Sequence, residues 1–196
     1  MDLTLDGVLA DACARLARAV ADRRHAMHAP VVGTGDGDMR IMVLREASPG
    51  LERLRFHTDA RSPKVALIGA GAPVSVLAYD PEARVQLRMR GEGRIERAGE
   101  HADAAWSRAG ASSRRCYLAE AGPGEARDLP GAALPEGLRD RRPSLDATLP
   151  GRANFAILMV EVRSLDWLHL TREGGVRARF TRPSAATAWR ATWLAP

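Results

Sequence analysis

The chain has 196 residues, 45% hydrophobic and 27% charged, the composition of a soluble globular protein long enough for one domain and cramped for two. Its net charge of +5 suits anionic partners. The basic residues are scattered among Asp and Glu, though, and two Tyr and three Phe leave little to stack on bases, so no nucleic-acid partner is expected. No stretch approaches the ~20 apolar residues of a membrane span, and the first residues lack the basic and apolar segments of a secretion signal. Cys13 and Cys116 fit neither a disulfide scaffold nor a metal spacing. The expectation is a cytoplasmic protein with no membrane contact and no metal.

In chain order, Leu5, Val8, Leu9, Ala12, Cys13, Leu16 and Val20 recur at three- and four-residue spacing, which predicts an amphipathic helix to about Arg24, capped by Thr4 or Asp2. His25 and His28 stand three apart without a third ligand, too little for a metal site. Ala29–Gly33 reads as a short strand and Gly33–Asp38 as a turn. Two apolar runs follow, Ile41–Leu44 and Leu51–Phe56, joined through Pro49-Gly50 as a hairpin. Arg40 and Arg45 bracket the first run; Thr58, Ser62 and Lys64 follow the second. As paired strands they would gather three cations and two hydroxyls at one end of a sheet, the donor set a phosphate needs. The alternative is an ordinary hairpin with a solvated basic rim.

Val65–Ile68 predicts one or two helical turns stopped by glycine, and Pro73–Tyr79 a strand. Val85–Arg90 alternates strictly, with Val85, Leu87 and Met89 on one face and Gln86, Arg88 and Arg90 on the other. That strand continues through Gly91 and Gly93, where glycine suggests a bend or bulge. A helix is expected over Glu100–Ala109. The weakly patterned 120–151 segment reads as a long loop or lid. Asn154–Val162, Leu165–Leu170 and Arg177–Phe180 read as strands, with a turn at Glu173-Gly174-Gly175. Many short strands with two or three helices describe a mainly β (α+β) fold, an antiparallel barrel of about six strands forming a single domain over 1–196 on which the N-terminal segment 1–28 packs. The common nucleotide and hydrolase motifs are absent.

Arginine has displaced lysine almost everywhere: Lys64 is the only lysine, Gln86 the only glutamine and Asn154 the only asparagine. A lysine kept against that background hints at a compact charge that a planar fork cannot replace.

Arg40-Ile-Met-Val-Leu-Arg45, Phe56-His-Thr58, Ser62-Pro-Lys64, the Gln86 strand running into Gly91, Trp167, Arg179-Phe180 and the closing Trp-Leu-Ala-Pro resemble, in order, the pyridoxamine 5′-phosphate oxidase family of FMN-binding split β-barrels. The resemblance covers about Asp38 to Pro196. It implies that Arg40, Lys64, Ser62 and Thr58, with His57 beside them, hold the FMN phosphate. The backbone through Ile41, Met42, Val43 and Leu44 would line the ribityl chain and ring edge. Arg45 would lie near flavin and substrate, and Gln86 on the ring's polar edge. In a homodimer with the flavin site at the subunit interface, Trp167 and Arg179 would reach across from the second subunit.

This chain departs from the vitamin-processing pattern. Gly175 and Arg177 stand where the family oxidase has an Arg-x-His pair, Pro63 replaces an Arg, Ala104 replaces a Tyr, and Ala121-Gly122 replaces a Gln-Ser pair. The resemblance therefore implies an FMN-dependent oxidase or reductase with a small anionic substrate other than pyridoxamine 5′-phosphate. Arg45, Arg108, Ser112 and Arg177 would grip that substrate, and no residue presents itself as a catalytic acid or base. The alternatives are a non-catalytic flavin- or haem-handling split-barrel protein, or a basic binding module for nucleic acid without cofactor.

Overall fold

The computed structural model describes residues 3–138, 143–172 and 174–196. Asp2, the alternative cap, and Glu173 of the expected turn lie outside them, as do 139–142 of the long segment. The chain divides into two compact units, one of Met1–Phe56, Ala70–Arg94 and Met159–Pro196, the other of His57–Gly69 and Ile95–Leu158.

The first unit is built on β-structure. Its strands are β1 (Val31–Thr34), β2 (Met39–Ile41), β3 (Leu44–Ala47), β4 (Arg53–Asp59), β5 (Ala72–Asp80), β6 (Val85–Glu96), β7 (Phe155–Thr171), β8 (Gly174–Thr181) and β9 (Arg190–Leu194); β4, β6 and β7 run on into the second unit. The order is β2-β1-β5-β6-β7-β4-β3, with β8 on β7 and β9 on β8. The registered pairs are antiparallel. Nine strands are present among the described residues, where the sequence suggested about six. β2 and β3 are separated only by Met42 and Val43, yet they stand at opposite ends of this order. Three Cα steps reach at most about 11 Å, so the two ends of the sheet must come round to each other. The result is a split antiparallel barrel.

This crossing revises the expected hairpin. The run 39–47 is not one strand: β2 pairs with β1 (Ile41 opposite Val31) and β3 with β4 (Leu44 opposite Phe56). β7 differs in the other direction. It is one strand of 17 residues where the polar pair Arg163-Ser164 made it read as two. Gly91, the expected bend, is a close approach: a Cβ there would run into the Glu161 carbonyl of β7, so only glycine lets the two backbones pass.

Helix α1 (Leu5–Ala21) buries Val8, Ala12, Leu16 and Ala19, and the Thr4 hydroxyl caps it by accepting from Gly7 N–H. Burying each large apolar side chain on this face is worth about 1.5–3 kcal/mol. Arg15 ties the helix to the sheet, with Nε 2.7 Å from Asp11 Oδ2 and Nη1 3.0 Å from Asp80 Oδ2. The two histidines after it serve the backbone: His25 Nδ1 accepts from Met27 N–H, and His28 Nδ1 lies 2.7 Å from the Ala19 carbonyl.

The second unit holds α2 (Pro63–Ile68), α3 (Glu100–Arg108) and α4 (Ala111–Arg114). Gly69, at φ +49°, ends α2 as the sequence suggested. Phe155 is the centre of its core, with ring centroids 5.2 Å from Trp106 and 5.1 Å from Tyr117. Asn154 donates to the Tyr117 carbonyl at 2.8 Å and accepts Ala60 N–H on its own carbonyl; the chain's one asparagine is a clasp. In its described part the long segment folds into turns and 3-10 helix at Glu136–Leu138 and Asp146–Asn154, with Glu120 N–H on the Ala133 carbonyl and Gly122 N–H on Glu125 Oε1.

Candidate functional site

Three of the expected phosphate ligands stand in the second unit. Thr58 closes the buried side of β4 and Ser62 is the N-cap residue of α2; they are 4% and 6% exposed. Lys64 Nζ donates to Ser62 Oγ at 2.7 Å, so the chain's single ammonium is held beside a hydroxyl, half-buried. Asp59 and Arg61 brace the connection between them. Arg61 forks onto Asp59, Nη2 to Oδ2 at 2.7 Å, and donates to the Ala119 carbonyl at 2.8 Å. The Asp59 hydrogen bond raises the Arg61 pKa further above its ordinary value. His57 packs its ring edge-on to Phe155, centroids 4.9 Å apart.

Arg40 and the stretch after it belong to the first unit. The Arg40 guanidinium is engaged within its own hairpin, donating to Thr34 Oγ1 at 3.0 Å and ion-pairing with Asp38. In the crossing that follows, Ile41 is exposed, Met42 and Leu44 are buried, Val43 is half-buried, and Met42 N–H donates to the Pro30 carbonyl. Arg45 has no direct opposite. Leu44 faces Phe56 and Glu46 faces Arg55, so Arg45 is the extra residue of a β-bulge, a device that re-aims a side chain. Its Nε is buried with no hydrogen-bond partner among the described residues.

The register builds one outward face of the sheet. Ile41, Val31, Leu77 and Arg88 line up across β2, β1, β5 and β6; Tyr79 stands opposite Gln86 and Ser75 opposite Arg90. On β7 and β8, Asp166 stands opposite Arg179, and Ser164 opposite Thr181. The Gln86 amide has no hydrogen-bond partner among the described residues. Asp166, 5% exposed, gathers three guanidiniums. Arg177 forks onto it (Nε to Oδ1 3.0 Å, Nη2 to Oδ2 2.9 Å), and Arg88 Nη2 and Arg179 Nη2 approach Oδ2 at 3.0 and 3.3 Å. Burial by itself would raise the Asp166 pKa; the hydrogen bonds from Arg177 and Arg88 outweigh it and hold the carboxyl below its usual range.

Trp167 requires a correction. It is 0% exposed and its indole N–H lies 3.3 Å from Asp11 Oδ2 of α1, because strand alternation turns it inward while Asp166 and Leu168 turn out. It is core, closed off by its own chain from any ligand on a second subunit. Arg179 does face outward, 46% exposed at its side chain. Arg108 and Ser112 are exposed residues of the second unit, at the end of α3 and in α4. Arg88 and Arg90 were visible in the sequence as Gln86's companions on one face, and their role was not. Asp166 had no signal at all, since its partners come from strands far away in sequence.

Residues 13–97 match the family model described as pyridoxamine 5′-phosphate oxidase, FMN-binding domain. That stretch of the chain is similar to an FMN-binding domain. The chain's fold is shared with a pyridoxamine 5′-phosphate oxidase-related, FMN binding protein from Nostoc punctiforme PCC 73102 (23% identity, 97% of this chain and 96% of that one, TM-score 0.71). It is shared too with PhzG from Burkholderia lata 383 (17% identity, 100% and 95% covered, TM-score 0.68). No curated protein sequence matches the chain.

FMN is the cofactor of such a domain, and this chain's residues suit it chemically. A hydroxyl-bound ammonium in the second unit fits a phosphate. In the first unit, the buried Arg45 Nε at the bulge is a donor that no described residue satisfies, and buried donors are seldom left so. No helix among the described residues is long and apolar enough to cross a membrane.

Proposed function

We propose that the protein is a cytoplasmic FMN-dependent oxidase or reductase that works as a two-fold dimer on a small anionic substrate other than pyridoxamine 5′-phosphate. The observation that carries this is Arg45, whose buried Nε has no acceptor among the described residues and which sits on a bulge between Leu44 and Glu46.

Lys64, Ser62 and Thr58 hold the FMN phosphate, and Gln86 donates to the polar edge of the ring. Bound FMN supplies two-electron redox chemistry. The protein contributes position and positive charge, which raise the electron affinity of a flavin when placed near its N1 and C2 oxygen edge. Arg45 and Arg177 orient the substrate, with Arg108 and Ser112 as further contacts. Arg179 reaches toward the flavin from the second subunit. Met39, Ile41, Leu77, Tyr79 and Trp193 are exposed apolar side chains, and a second copy of the chain would cover them. PhzG is known in complex with tetrahydrophenazine-1-carboxylic acid, and a carboxylate is the substrate chemistry proposed here.

The test begins with colour and mass. The purified protein is expected to be yellow, with flavin bands at ~370 and ~450 nm, and to sediment at twice the 21.2 kDa chain mass. Its flavin is expected to be reduced by NADPH or by an organic acid, without turnover of pyridoxamine 5′-phosphate. A colourless protein that ignores added FMN overturns the proposal. Bound flavin that no donor reduces replaces it with the flavin- or haem-handling alternative.

A further inference from the structure

We infer that the arginine cluster around Asp166 is a subsite for a small dianionic headgroup, a phosphomonoester or a dicarboxylate, and that Arg88 and Arg90 define the substrate class together with Arg179. The inference rests on the proposed function only in sharing Arg177 and Arg179 with it.

A cavity of about 230 Å³ opens on the outward face, lined by Arg88, Arg90, Ser164, Asp166, Arg179 and Thr181. Three guanidiniums and one carboxylate in that wall leave two positive charges uncompensated. Arg177, forked onto Asp166 from outside the wall, takes up the carboxylate's charge as well. A bare cluster of like charges repels itself. Here Asp166 Oδ2 pins one Nη2 each from Arg88, Arg177 and Arg179, so the repulsion is absorbed by a buried anion and the remaining donors stay aimed outward. Arg88 Nε is buried without a partner, and Arg90, exposed, makes no ion pair among the described residues. Ser164 and Thr181, paired across β7 and β8, add hydroxyls at the wall. Spare guanidinium forks beside hydroxyls match carboxylate and phosphate oxygens in geometry as well as in charge. Asp166 is the positioning residue. It would repel a ligand anion if its charge were not already shared among three arginines.

The test is calorimetric titration of the full-length, FMN-loaded protein at low ionic strength with inorganic phosphate and, separately, with succinate. Saturable binding at one site per chain is expected. Arg90→Gln and Arg179→Gln are each expected to weaken it at least tenfold with the melting temperature unchanged. Arg163→Gln is expected to weaken it less than twofold, because Arg163 is engaged with Glu92 at 2.8 Å. Tighter binding of phosphate assigns a phosphomonoester and tighter binding of succinate a dicarboxylate. Absence of saturable heat overturns the inference, as does an Arg163→Gln loss equal to the others, which means diffuse attraction. Release of FMN by phosphate also overturns it, by making the cluster the cofactor's own phosphate site. If the protein proves colourless, the same titration on the flavin-free chain still decides the matter, so the two proposals fail separately.

Discussion

Arg114 and Arg182 are both 6% exposed, and they differ from the arginines at Asp166 and at the bulge in what their guanidiniums face. Arg182 donates to the Val162 and Leu51 carbonyls at 2.9 and 2.8 Å and lies 3.9 Å over the Trp189 ring. Arg114 donates twice to the Trp106 carbonyl and once to that of Ser107, and lies 4.6 Å over the Trp106 ring. These two are planar forks fitted to backbone carbonyls with an aromatic lid. Arg88 and Arg45 differ, each with a buried Nε that finds no hydrogen-bond partner among the described residues. In a sequence with a single lysine, counting arginines therefore says nothing about function. What each guanidinium faces separates the two groups.

Breaking a carbonyl-bound arginine should have the largest effect on the fold. Arg182→Met leaves two carbonyls without their donor, each costing about 1–3 kcal/mol when buried, so a loss of about 3 kcal/mol in urea unfolding is expected. A loss near zero would mean that solvent replaces the guanidinium and the distinction fails. The proposed FMN contacts should behave in the opposite way. Lys64→Ala and Arg45→Met should leave the urea midpoint nearly unchanged, and each should weaken FMN binding at least tenfold, about 1.4 kcal/mol, by fluorescence titration. Undiminished FMN affinity in either refutes the role given to that residue.

Asp166→Asn should show its effect chiefly in the acid limb of stability. Its folded pKa lies below that of an unfolded aspartate, near 3.9. The stabilisation is therefore complete above that value and is lost as pH falls through the lower, folded one. The variant's stability should thus decline less steeply than the wild type's below about pH 4. Identical acid limbs would show that the carboxylate contributes nothing to the fold.

Periodicity was enough for α1, for the β5–β6 pair and for the short α2 with its terminal glycine, since each of these is decided by neighbours in sequence. It failed where distant strands decide. Ile41–Leu44 is uniformly apolar whether it stays on one strand or crosses between two, and nothing in it marks the change at Met42. Arg163-Ser164 interrupts an apolar run without interrupting the strand, because an outward face accepts polar side chains. Trp167 looked like a ligand contact from its place in the family pattern, and only the packing of α1 against it reveals an interior residue. Of the proposed site, the residues expected at the FMN phosphate and Gln86 come from the family resemblance alone. The Asp166 cluster was not legible, because it exists only once β6, β7 and β8 are in register.

The two-residue link between β2 and β3 has a consequence for anyone who cuts or lengthens this chain. The six residues from Arg40 to Arg45 look like one short tag in print, yet they bridge the mouth of the barrel, with one arginine planted on each wall. A spacer inserted between Met42 and Val43 would leave every strand's own sequence intact while lengthening the short link from β2 to β3.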